Sequence, residues 1–66
     1  MREIEKLRRL LEHWAEHEAG HRQEYLRWAQ RAQEEGLSGP ARLLREAARQ
    51  SQGTEALFKE ALRQLP

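Results

Sequence analysis

The sequence predicts an all-α fold, an antiparallel two-helix hairpin that dimerises into a four-helix bundle, on three observations. Every acidic residue is Glu, Asn, Asp and Val are absent, and Ile4 and Thr54 are the only β-branched residues, a composition that favours helix over strand. Apolar residues recur at three- and four-residue steps in two runs, the mark of amphipathic helices. One short break containing Gly and Pro separates the runs, and a connection that brief forces the second helix back along the first.

The first helix is expected over about residues 2–35, interrupted only by Gly20, with Ile4, Leu7, Leu11, Trp14, Tyr25, Trp28 and Ala32 as its apolar stripe. Gly36 followed by Leu37 reads as a helix stop, and Ser38-Gly39-Pro40 as an N-cap followed by a first-turn proline, so the turn covers 36–39. The second helix then runs over about 39–65 and buries Leu43, Leu44, Ala47, Ala48, Leu57, Phe58, Ala61, Leu62 and Leu65. At about 1.5 Å per residue the helices are roughly 50 and 40 Å long, which leaves Ile4 and Leu7 beyond the end of their partner helix. A homodimer would cover that overhang. Gly20 and Gly53 sit near one level of the hairpin and read either as points of close helix approach or as tolerated helix glycines.

Sixty-six residues make a single domain, residues 1–66, whose own core is too small for much stability. Twelve basic against 11 acidic residues, interleaved in sign, lack the basic field of a nucleic-acid binder. No apolar run approaches a membrane span or a signal-peptide core, and a cytoplasmic location is expected. Without cysteine, any transition metal must be held by His and Glu.

All three histidines fall in one segment, His13-Trp14-Ala15-Glu16-His17-Glu18-Ala19-Gly20-His21. Imidazoles four residues apart on a helix reach the same side and can chelate one divalent metal. His13 and His21, about 12 Å apart along the axis, cannot share one. The strings His17-Glu18-x-x-His21 and His13-x-x-Glu16-His17 match zinc-peptidase signatures, but Glu-rich sequence generates such strings by chance and a peptidase needs a cleft and a further ligand. The Glu18-x-x-His21 spacing also matches carboxylate bundles, and the helical wheel places Glu18 and His21 about the middle of the stripe, His17 at its border, His13 outside it and Glu16 opposite. The second helix is broken at the same level by Ser51 and Thr54, with Glu55 at the edge. A polar layer of Glu18, His21, Ser51, Thr54 and Glu55 follows.

These residues resemble a group of short helical-hairpin proteins of bacteria and archaea with a His-Trp-x-x-His-Asn-x-x-His segment, an aromatic and Trp-Ala, and a Gly-Leu turn. The resemblance falls on His13, Trp14, His17, His21, Tyr25, Trp28, Ala29, Gly36 and Leu37. It implies a hairpin fold and makes the paired imidazoles the shared chemical element, because Glu18 stands where that group has Asn.

The expected function is binding of zinc, nickel or cobalt for storage, delivery or sensing, with His17 and His21 as ligands, Glu18 as a carboxylate ligand and His13 as an outlying one. Iron is less favoured, since a di-iron site would need Glu55 beside Glu18. The competing expectation is a metal-free interaction module in which Glu18, His21 and Thr54 fix register and oligomer state, docking a protein partner through Arg42, Arg45 and Arg49. No catalytic residue is expected, for no nucleophile or second acid–base pair accompanies the histidines.

Overall fold

In the computed structural model, which describes residues 2–66, α1 spans Arg2–Glu34 and α2 spans Ser38–Arg63. The two helices pack along their length into a rod of 53 × 14 × 11 Å. All described regular structure is helical.

The turn is set by Gly36, which adopts φ +77°, a left-handed conformation that glycine takes without steric cost. Leu37 N–H donates to Ala32 O at 2.8 Å and Gly36 N–H to Gln33 O at 3.0 Å. These two bonds close a Schellman motif and satisfy the last carbonyls of α1. Helix α2 starts one residue earlier than the sequence suggests. Leu37 rather than Ser38 is its N-cap, without a side-chain hydrogen bond, because the residue that closes the Schellman motif also opens α2. Pro40 stays in the first turn, where its missing N–H costs nothing.

The contact seam departs from the expected stripes. Along α1 the seam is Ile4, Arg8, Leu11, Ala15, Glu18, Arg22, Tyr25, Ala29 and Ala32, and along α2 and just past its end it is Ala41, Leu44, Ala48, Ser51, Glu55, Phe58, Leu62 and Leu65, all buried or half-buried, with Ala19, Glu46, Ala47, Thr54 and Glu60 half-buried beside it. Both sets step by alternating threes and fours, the heptad spacing of a coiled coil. Ala15, Ala29, Ala41 and Ala48 are almost fully buried, and Leu11 is the one large apolar side chain among the core residues. Small side chains let the helices lie close together, and they bury little apolar area. The hairpin alone therefore gains little of the roughly 25 cal/mol per Å² that burial provides.

Leu7, Leu10, Trp14, Trp28, Leu37, Leu43 and Leu57 are instead 40–71% exposed, as is Leu26 at 48%, which follows the seam residue Tyr25 and stands on the opposite flank. Apart from Leu26 and from Leu37 in the turn, each precedes a seam residue by one position. In an antiparallel pair the positions one before the seam on either helix line the same flank. Trp14 reaches across this flank to Phe58, with ring centroids 5.8 Å apart. The opposite flank, one position after the seam, carries Arg9, Glu12, Glu16, Arg42, Arg45, Arg49, Lys59 and Arg63; Arg45 reaches Gln33 on the other helix at 3.5 Å, whereas Arg49, Lys59 and Arg63 pair with glutamates on their own helix. The rod thus has one mainly apolar and one mainly charged side. Arg8 donates to Pro66 O at 2.8 Å, so the chain's end reaches Arg8 and the first turns of α1 extend beyond it, as the length difference implies.

Candidate metal centre

The histidines form a ladder on the surface of α1. The rings of His13 and His17 stack at 5.6 Å, those of His17 and His21 meet edge-on at 4.5 Å, and His21 stacks on Tyr25 at 6.1 Å. A four-residue step overshoots one helical turn by about 40°, so the ladder winds slowly around α1. His13 points away from the seam, His17 and His21 stand on the apolar flank, and Tyr25 enters the seam. All three histidines are exposed. His21 therefore lies beside the polar layer and not within it, because it precedes the seam residue Arg22 by one position.

Glu18 is in the seam. Ser51 Oγ lies 2.8 Å from Glu18 Oε2 and 3.0 Å from its backbone O, with one hydroxyl proton to share between them. The carboxylate is thus oriented from α2, and it lines a groove of about 350 Å³ with Trp14, His17 and Phe58. One turn along, Arg22 Nη1 donates to Glu55 Oε1 at 2.5 Å and Lys59 Nζ lies 2.9 Å from Glu55 Oε2. Hydrogen bonds from Lys59 and Arg22 hold the Glu55 carboxyl below the usual carboxylate range.

The centre of the seam is therefore Glu18, Arg22, Ser51 and Glu55. Three of these residues belong to the polar layer read from the sequence, and Arg22 was missed. Its signal was an opposite charge one turn from Glu18 at heptad spacing, facing Glu55 in the antiparallel register. Thr54 does not bridge the helices, since its hydroxyl donates to Gln50 O on its own helix at 3.2 Å. Glu55 opens towards the charged flank, in a groove with Arg22, Gln52, Ala56 and Lys59. That separates it from the histidines, so the carboxylate pair a di-iron site needs is not assembled in one chain.

Among the described residues no three His or Glu side chains converge to enclose a metal. The rings of His17 and His21 are 4.5 Å apart, and Glu18 lines a groove with His17. The glycines do not create a close approach, because a Cβ added at Gly20 or Gly53 would meet nothing within 4 Å. Arg49 pairs with Glu46 on its own helix, and Arg31 lies over Trp28 at 4.6 Å. No helix among the described residues is long and apolar enough to cross a membrane.

A family model described as a domain of unknown function, DUF8180, matches residues 7–65. No curated protein and no solved structure matches the chain.

Proposed function

We propose that this chain, which belongs to the DUF8180 family, is a small transition-metal-binding helical protein of the storage, delivery or sensing class whose hairpins pair into a four-helix bundle. The observation that carries the reading is the His17–His21 pair, exposed, edge-on and 4.5 Å apart. Small side-chain rotations bring two imidazoles at that spacing to the roughly 2.0–2.1 Å at which nitrogen binds zinc. Zinc, nickel and cobalt all accept imidazole. Glu18, held by Ser51, supplies a fixed carboxylate under the pair, either as a ligand or as an acceptor for an imidazole N–H. His13, 5.6 Å from His17, is an outer ligand that shares His17 in an overlapping chelate.

Titration with zinc, nickel or cobalt tests this. Uptake should release protons, because the ligands bind deprotonated. It should also raise the melting temperature, with about 2.7 kcal/mol expected at a free metal concentration of 100 times Kd. Both effects should vanish in His17→Ala/His21→Ala. A second reading is favoured by the Ser51–Glu18 bond at the centre of the seam, which fixes register whether or not metal binds. As a metal-free interaction module the chain would show no metal response, and the double variant would melt like the parent.

A further inference from the structure

We infer that a second copy of this chain completes the metal centre, across a two-fold axis that crosses the apolar flank at the level of residue 19 and sets the two α1 helices antiparallel over one another. This rests on the metal-binding reading above and names the partner it requires.

Among the described residues one chain brings two imidazoles to its surface and gathers no third ligand group with them, so in this arrangement Glu18 acts as the acceptor for an imidazole N–H. A tetrahedral site takes four ligands, and a two-fold axis between His17 and His21 doubles two imidazoles into four. The pair stands on the apolar flank and not on the charged one, so the surface that needs covering and the ligands that need completing are the same surface. Part of the flank is symmetric about that level, although Trp14 and Glu24, five residues to either side, and Leu7 and Arg31, twelve to either side, pair an apolar with a charged side chain. Leu10 and Trp28 lie nine residues to either side of residue 19, and on α2 Ala47 and Ala61 lie seven to either side of Thr54. The axis therefore brings Leu10 against the partner's Trp28 and Ala47 against the partner's Ala61. The charges on this flank, Glu24 and Arg31, already have company in Arg27 and Trp28.

The area is sufficient. The flank follows the long face of the rod, 53 by 14 Å, a footprint on the order of 700 Å², close to the roughly 800 Å² per partner of a stable interface. It would cover Trp14, Trp28, Leu43 and Leu57, four of the large side chains that the hairpin leaves exposed.

Two measurements on the full chain test the arrangement. Native mass spectrometry after loading with zinc should show two chains with one ion. Leu57→Glu, a change at a side chain 71% exposed in the hairpin, should shift the sample to monomer and weaken zinc binding at least tenfold while the helical circular dichroism is kept. Spin labels on Gln23→Cys and on Gln30→Cys, both away from the flank, should lie further apart across the dimer at residue 30 than at residue 23, with a difference of about 21 Å in the component along the helices, because each residue from the two-fold axis adds twice the 1.5 Å rise. One zinc per monomeric chain, or equal distances at the two label sites, would overturn the arrangement and leave metal binding standing. Labels at the expected distances support the pairing even in zinc-free protein, whereas no uptake of zinc, nickel or cobalt would overturn both proposals.

Discussion

Replacing Gly20 and Gly53 with alanine should stabilise the hairpin substantially. Each lies inside a helix, where glycine costs about 0.8–1.0 kcal/mol relative to alanine through its backbone entropy. Each added methyl would stand in open space, with nothing within 4 Å, so no clash offsets the gain. The two glycines are on different helices and share no contact, so their effects should add to about 2 kcal/mol. For a domain of this size, 1 kcal/mol moves the melting temperature by roughly 4–8 °C, and the double variant should melt about 8–16 °C higher. Thermal melts followed by circular dichroism, at one fixed chain concentration and without added metal, give the number directly. An unchanged or lower melting temperature would refute the reasoning, and would mean that something outside the chain packs against those backbone positions. Gly20→Ala should also keep the metal response, because His17 and His21 stand on an unbroken helix.

Gly36→Ala should act in the opposite direction, losing about 1–2 kcal/mol in the same melts, since φ +77° is strained for any residue with a Cβ. Ser51→Ala removes the donor to the half-buried Glu18 carboxylate, and chemical denaturation should show a loss of about 1 kcal/mol; no loss would mean that water replaces the hydroxyl. Glu55 has its carboxyl pKa lowered on folding by Lys59 and Arg22, so its contribution is present above the ordinary carboxylate pKa of 4.5 and fades as pH falls below it. Melting temperature should therefore drop on acidification in that range, and Glu55→Gln should flatten the drop.

The helices, their turn and the histidine spacing were legible because local chemistry fixes them. Gly36, Pro40 and the threefold and fourfold apolar steps act within a few residues of themselves. The seam was harder, for large apolar residues whose spacing reads as a core, Leu7, Trp14, Trp28, Leu43 and Leu57, are excluded from it. Close approach of two helices leaves room for alanine and for polar side chains that satisfy one another, so the better guide was the strict heptad run of Ala15, Glu18, Arg22, Ala29 and their counterparts. Ile4, Leu11, Tyr25 and Ala32 were placed correctly, because they fall in both patterns. The position of His21 followed the same error, since one residue of helical phase separates the seam from its flank. Glu18, Ser51 and Glu55 were found at the right level because antiparallel register about a short turn follows from counting residues.

The phase of the two heptad runs also decides between topologies. Continued through the turn as one helix, the run on α1 would reach positions 36, 39, 43 and 46, whereas the run on α2 occupies Ala41, Leu44, Ala48 and Ser51. The two are out of step by two residues, about 200° around the helix axis. A chain that straightened at Gly36 into a single rod would carry its two stripes on opposite sides, and no one partner rod could cover both. Exchange of helices between chains, the usual hazard of a short hinge between two similar helices, is therefore opposed by the phase of the sequence itself as well as by the conformation of one glycine.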